Sequence, residues 1–319
     1  MIPQELYTEI KRSFPLSAVE LLVCNKNNKV LLVKRTNEPA KGQWWIPGGR
    51  VRFAESRLNA VKRLLLEECG IVSDTISVQG IYDYMIKNEL ENYYQHTITT
   101  VYRVQVDNDS VRTDSQSSDF SWKHPDEWIR LVGHDFLKQL FNGNFKANNP
   151  DFFFAENLTF EKGFIRKELY NVILESLPIP CIDLLVKNKK GEILLIKRKN
   201  EPQKDEWWVP GGRVLYGERR EDAAKRKLYE ECLLTGENCK QIACFEFIFE
   251  KPANKKYHNI VTLFEVTVDD AEQRVILDEQ SEEYSWKTAS EWLKMPLNDF
   301  VKDALESETS RETTNKIYN

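Results

Sequence analysis

"WWIPGGRVRFAESRLNAVKRLLLEECGI" (Trp44–Ile71) and "WWVPGGRVLYGERREDAAKRKLYEECLL" (Trp207–Leu234) are near-copies within one chain. Each begins with a Trp pair and a Pro-Gly-Gly turn. In the first, Leu58, Val61, Leu65 and Leu66 recur at three- and four-residue steps among Arg, Lys and Glu, which predicts an amphipathic helix of about four turns running from Glu55. Gly70 stands where such a helix stops. Glu67 and Glu68 then fall in its last turn, and the Gly48-Gly49 turn lets backbone amides and carbonyls approach a ligand without Cβ obstruction. Hard oxygen ligands beside such a turn suit Mg²⁺ or Mn²⁺, and such an ion attracts a diphosphate.

The duplication extends far beyond this stretch. Leu31 and Leu194, Arg35 and Arg198, Pro47 and Pro210, and Glu68 and Glu231 are all 163 positions apart, and "ELY" at 5–7 returns at 168–170. "HTITTVYRVQV" from His96 corresponds to "HNIVTLFEVTV" from His258, and "SQSSDFSW" to "EQSEEYSW". Two copies of one domain, 1–145 and 160–319, are therefore expected. The joint near residues 140–163 opens with Gly, Asn and Pro as a linker does, while its Phe152–Phe154 cluster suggests that part of it docks on a surface. Within each copy the pattern reads as a short amphipathic helix, strands such as "AVELLVC" and "KVLLVKR" around the turn-prone "NKNN", the central helix, further alternating strands and a last helix ("PDEWIRLV", "ASEWLKM"). Strands on both sides of a central helix predict a mixed α/β sandwich.

At 319 residues, with 41% hydrophobic and 30% charged residues, the chain has the composition of a two-domain globular protein. A net charge of -5 gives no electrostatic footprint for nucleic acid or anionic membrane, both of which need a basic surface. The six cysteines form no C-x-x-C pair and no zinc spacing, and read as reduced, buried thiols. The first residues lack the basic-then-apolar run of a signal peptide, and no apolar stretch is long enough to span a bilayer. The expected location is the cytoplasm.

An isolated "EE" would be read as a solvated helix end. Its place in a longer pattern changes that reading. Gly49, five residues, Glu55, seven residues, Arg63, then Leu65, Glu67-Glu68, Gly70 and Ile71 resemble the Nudix box, with Leu64 where the family has Glu. Gly212, Glu218, Arg226, Leu228, Glu230-Glu231 and Leu234 repeat it, with Lys227 in place of that same Glu and Leu233 in place of the Gly. The resemblance implies two tandem Nudix-type α/β/α sandwich domains with mixed sheets, arranged as a pseudo-dimer. Loss of that Glu is similar to the GDP-mannose mannosyl hydrolase group, as are "KRTNEPAKGQWWIPGGRV", "KRKNEPQKDEWWVPGGRV" and "DEQSEEYSW". The group's reaction splits the glycosyl bond of a nucleoside-diphosphate sugar with one Mg²⁺ on the leaving diphosphate. Carried over, it implies Mg²⁺ (or Mn²⁺) held by the Gly48 carbonyl, Glu68 and Gln116 in the first copy, and by Gly211, Glu231 and Gln280 in the second. Arg35 and Arg50, with Arg198 and Arg213, would fork onto phosphate oxygens, and Glu20 and Asp183 match the acidic residue that faces the sugar.

Departures from that group leave alternatives open. Its general-base His is Ser117 and Ser281 here, and its leaving-group Tyr is Thr97 and Asn259. Asp119, Glu282 and Glu283 are within reach as substitute bases. His96 and His258 open matching strands and point either at the site or at a structural partner; His124 and His134 read as surface residues. One Trp of each pair is expected to be buried and the other open to a base or sugar. Arg63 and Arg226 are expected to orient the helix glutamates. The functional classes are a Mg²⁺-dependent nucleotide-sugar hydrolase, a pyrophosphatase, and a catalytically weak nucleotide-sugar-binding module. The second copy, carrying Lys227 and Leu233, is expected to be the weaker, and the full chain to be monomeric.

Overall fold

The computed structural model describes residues 2–142, 153–154, 165–201, 203–251, 255–269, 273–310 and 317–318. The chain divides into two compact units. The first comprises Met1–Ala147, Asp151–Ile179 and Glu250–His258, and the second chiefly Pro180–Phe249 and Asn259–Asn319.

In the first repeat, α1 (Gln4–Lys11) leads into β1 (Leu16–Cys24) and β2 (Val30–Arg35). Two short strands follow, β3 (Trp44–Trp45) and β4 (Gly48–Arg50), and then α2 (Arg57–Cys69). A long hairpin of β5 (Ile76–Asn88) and β6 (Tyr93–Gln105) is followed by β7 (Ser117–Lys123), α3 (Pro125–Trp128), α4 (Asp135–Phe141) and β8 (Phe153–Phe154). Among the described residues the strands form one sheet in the order β3-β2-β1-β6-β5-β8, with β4 on β1 and β7 on β2. The β1–β6 pair is parallel and β5–β6 antiparallel, so the sheet is mixed.

Every position of β1 is buried, as expected of a strand covered on both faces. Leu22 and Cys24, with Val30 and Leu32 of β2, pack with Trp128 of α3 and with Phe136, Leu137 and Leu140 of α4. The alternate residues Val19, Leu21 and Val23 point to the other face, where α2 contacts β1 and buries Ala60, Val61 and Leu65. Helix α2 begins at Arg57, capped by the Ser56 side chain on Asn59 N–H at 3.2 Å, and ends at Gly70 with φ 66°. Glu55 lies just before the helix, in the turn.

The second repeat restates this order as α5 (Lys167–Ser176), β9 (Ile179–Lys187), β10 (Ile193–Arg198), β11 (Trp207–Trp208) and β12 (Gly211–Arg213). It continues through α6 (Arg220–Cys232), β13 (Gly236–Lys251), β14 (Lys255–Val268), β15 (Ser281–Lys287), α7 (Ala289–Trp292), α8 (Asp299–Ser310) and β16 (Ile317–Tyr318). Its sheet has the matching order β11-β10-β9-β14-β13-β16, so the expected α/β class with two mixed sheets is observed. Leu233 takes the left-handed position that Gly70 holds in the first repeat, at φ 52°, and costs a Cβ-bearing residue about 1–2 kcal/mol there.

The last helix expected over "PDEWIRLV" is a single turn, α3, and a separate helix α4 follows. Of the Phe152–Phe154 cluster, Phe152 lies outside the described residues; the Phe153–Phe154 backbone pairs with Asp83 and Tyr84 as a parallel strand. No described helix is long and apolar enough to cross a membrane.

Candidate active site

The site of the first repeat gathers where β1, β4 and the end of α2 meet. In the antiparallel β1–β4 pair Glu20 stands opposite Gly48, Val19 opposite Gly49 and Ala18 opposite Arg50. A Cβ on Gly48 would sit 2.5 Å from Glu20 Oε2 and 2.6 Å from the Val19 carbonyl, so this register admits only glycine. The Gly48 N–H donates to Glu68 Oε2 at 3.2 Å and joins the last turn of α2 to the Gly-Gly turn. On the same edge of β1 as β4, β2 ends at Arg35, whose strand partner is Ser117 at the start of β7. The Gln116 carbonyl accepts from Thr36 N–H at 2.9 Å, which brings the Gln116 loop beside Arg35.

Asp114 belongs to this loop and was missed by sequence reasoning. It accepts from the Gln116 backbone N–H at 2.9 Å and from Gln116 Nε2 at 3.0 Å, and its charge reaches Glu68. The second repeat has the same arrangement, with Gln280 donating to both oxygens of Asp278 at 3.0 Å. The signal was present in the sequence as Asp-x-Gln-Ser in both copies.

Burial dominates the electrostatics. Glu20 is 4% exposed and accepts from the Tyr84 hydroxyl at 3.0 Å, while its Oε2 has no hydrogen bond among the described residues. Desolvation pushes its carboxyl up to about 8, against the pull of Arg35 and Tyr84. Desolvation likewise raises Glu68 to about 7, opposed by the Gly48 N–H and reinforced by the Asp114 charge. Asp183 of the second repeat is also raised well above its ordinary value by burial and by Glu231.

The folded chain thus holds protons that the unfolded chain releases above about 4.5. The stability these protonated carboxyls contribute is complete below that value and is lost as pH rises through about 7 to 8. In chelator, the melting temperature is expected to fall between pH 5 and 8, and to fall less in Glu20→Gln. A melting temperature that climbs across the window would contradict this account.

The arginines divide in role. Arg35 donates from Nε to the Pro39 carbonyl at 2.9 Å and acts on both Glu20 and Glu68. The exposed Arg50 lays its guanidinium over the Tyr7 ring of α1 at 4.2 Å, a cation–π contact that fixes it at the rim. Arg63 bonds Glu55 through two nitrogens at 2.6 and 2.8 Å, Glu67 at 3.1 Å and the Arg50 carbonyl at 3.1 Å. Arg226 does the same with Glu218, Glu230 and the Arg213 carbonyl, so both arginines orient the box carboxylates.

The sites part company one helical turn earlier. Leu64 is buried, and its Cδ2 lies 3.1 Å from where a Cβ on Gly49 would be. Lys227, at the equivalent place, ion-pairs with Glu231 at 2.8 Å and with Glu230 at 3.4 Å. Glu231 still accepts from the Gly211 N–H at 3.1 Å, and Gly211 still faces Asp183 across the β9–β12 pair.

The histidines differ in surroundings. His258, one of the second-repeat residues assigned to the first unit, accepts from Ala54 N–H at 3.2 Å; His96 is fully buried. His134 corrects the surface reading: it caps α4 by accepting Phe136 N–H at 3.2 Å, and its ring meets Trp45 at 5.4 Å and Tyr84 at 6.1 Å. His124 is exposed at the start of α3. Trp45 and Trp208 are buried as expected, but Trp44 and Trp207 turn onto Trp128 and Trp292 at 5.2 and 5.1 Å. Of the substitute bases, Asp119 is exposed and Glu282 pairs with Lys197 at 3.0 Å.

Among the described residues no three His, Cys, Asp or Glu side chains form a ready metal cluster. A divalent ion in the first repeat would therefore draw on Glu68 and Asp114 together with neutral oxygens of Gln116 and Gly48. The donor set is all oxygen and suits Mg²⁺ or Mn²⁺.

The chain is similar to several known proteins. The chain is 32% identical over 119 residues to the low-salt glycan biosynthesis protein Agl8 of Haloferax volcanii, spanning 37% of this chain and 76% of that one. It is 41% identical over 68 residues to an ADP-ribose pyrophosphatase of Methanocaldococcus jannaschii, spanning 21% of this chain and 40% of that protein. Among solved structures, a MutT protein from Methanosarcina mazei Go1 is 26% identical, with a TM-score of 0.34, over 40% of this chain and 91% of its own. The NUDIX domain family profile matches residues 15–141 and again 178–311, covering both Gly-Gly turns and both glutamate-bearing helices. The chain belongs to the NUDIX domain family, as a Nudix hydrolase of two domains in tandem.

Proposed function

We propose that the first repeat is a Mg²⁺-dependent hydrolase of nucleoside-diphosphate sugars that cleaves the glycosyl C–O bond. The observation that carries this reading is the set of carboxyls around Gly48. Glu20 stands buried opposite Gly48, the half-buried Glu68 accepts from the Gly48 N–H, the Asp114 charge acts on Glu68, and among the described residues no ion pair reaches Glu68. A cation bound there would favour the charged form of Glu68 against its desolvation.

Nudix hydrolases generally use Mg²⁺ or Mn²⁺, which when bound would neutralise a diphosphate and improve it as a leaving group. Glu68, Asp114, the Gln116 oxygen and the Gly48 carbonyl would hold the ion. Arg35 would receive phosphate oxygens, its fork already aimed by Pro39. Glu20, protonated at neutral pH by burial, would offer its Oε2 to a sugar hydroxyl. Ser117 gives no base in place of the imidazole of the mannosyl hydrolase group, so water activation falls to a carboxylate. The Haloferax relative is named a glycan biosynthesis protein, which fits a nucleotide-sugar substrate. A cytoplasmic, monomeric chain belongs to the same reading.

A second reading, cleavage within the diphosphate, takes its support from the relative named ADP-ribose pyrophosphatase. Hydrolysis of GDP-mannose in ¹⁸O-water separates the two. Label is expected in the released sugar; label in phosphate would establish the pyrophosphatase reaction.

A further inference from the structure

The place beside the metal-box glutamate is filled differently in the two repeats. In the first, the neighbour one turn before Glu68 is the apolar Leu64, which contributes no charge. In the second, the Lys227 ammonium lies 2.8 Å from Glu231 Oε1, and the two side chains are only 14% and 12% exposed. The other Glu231 oxygen is taken by the Gly211 N–H. The lysine stem crosses the Gly-Gly turn so closely that its Cε and Cδ lie against the position a Cβ on Gly212 would need. Gly212, at φ +156°, thus leaves room for the stem.

A divalent cation at Glu231 would have to displace a nearly buried ammonium at ion-pair distance, leaving that charge unpaired and repelled by the ion. The residues of the second repeat therefore do not fit a divalent metal. They do fit an anion. Lys227 adds a positive charge to Arg198 and Arg213, which stand where Arg35 and Arg50 stand in the first repeat. The Asp278–Gln280 loop keeps its fold, with the Gln280 carbonyl accepting from Lys199 N–H at 2.8 Å.

We infer that the second repeat is a divalent-cation-independent binding site for a nucleoside diphosphate group, with the Lys227 ammonium standing where the first repeat takes a metal ion. The inference rests on the reading of the first repeat as a metal-dependent diphosphate site. A site of this build binds the same chemical class as the first without consuming it.

Mn²⁺ titration of the full chain followed by electron paramagnetic resonance tests the metal side. Wild type is expected to bind one Mn²⁺, Glu68→Gln none, and Lys227→Leu, which installs the residue of the first repeat, two. Lys227→Met keeps the stem length and guards against a packing failure. If neither variant gains an ion, or if wild type already binds two, the inference is overturned; if Glu68→Gln leaves the count unchanged, the reading of the first repeat fails instead. The ligand side uses GDP with Glu68→Gln protein in excess chelator, read by calorimetry. Binding is expected to persist there and to weaken about tenfold or more when Lys227→Met is added, as for loss of a charge-assisted hydrogen bond. No GDP binding in chelator, or binding indifferent to Lys227, would overturn it.

Discussion

Glu68→Gln is expected to lower kcat/KM of the full chain about 100-fold or more, whereas Glu231→Gln leaves it within about twofold. The first figure follows from the several kcal/mol that a bound cation gives to a developing diphosphate charge. The second follows from the ion pair between Glu231 and Lys227, which already neutralises that carboxylate. Glutamine keeps the size of the side chain and can still face the Gly48 N–H, so the loss should appear with little change in melting temperature. Steady-state rates in saturating Mg²⁺ decide the matter. A larger loss from Glu231→Gln would reverse the ranking of the two sites.

The largest effect on stability is expected from Trp128→Ala, about 3–5 kcal/mol. Trp128 is fully buried, packs against Trp44 at 5.2 Å and donates its indole N–H to the Val30 carbonyl at 2.9 Å. It therefore ties α3 to the start of β2, the strand whose other end carries Arg35. Trp292 makes the same bond to the Ile193 carbonyl, also at 2.9 Å. Because the chain has two compact units, Trp128→Ala should lower the transition of one of them by about 10 °C and leave the other in place. Scanning calorimetry would show the trace split in two; a uniform shift of a single peak would mean that the units unfold together. Trp128→Phe should cost less, since it keeps most of the apolar bulk.

Much of this was legible in the sequence because it rests on periodicity or on backbone demands. The three- and four-residue steps of Leu58, Val61 and Leu65 mark α2, although Leu58 and Leu66 turn out exposed; Gly70 marks its end, and the offset between the repeats makes each pattern count twice. Arg63 was expected to orient the glutamates, and its hydrogen bonds to Glu55 and Glu67 agree with that. Asp114 escaped because it lies in a loop, where no periodicity singles out one Asp; recurrence of Asp-x-Gln-Ser was the available sign. Arg57 and Arg220 escaped for the opposite reason. They begin helices whose charged residues read as solvent-facing, yet both are buried, with Arg57 on Thr100 at 3.2 Å and Arg220 on Gln241 and Thr262 at 2.9 and 3.1 Å. His134 was misread because a capping histidine folded back on Trp45 depends on tertiary packing that local sequence does not encode.

The first compact unit takes in Glu250–His258, more than a hundred residues after its main body ends at Ala147. Translation proceeds from the N-terminus at about 5–20 residues per second, so a ribosome needs roughly 5–20 s to move from one segment to the other. During that interval the nascent first unit lacks its last piece, including the His258 imidazole that receives the Ala54 N–H in the turn before α2. The amide next to the glutamate-bearing helix therefore waits for its acceptor until His258 has been made, long after the rest of that turn.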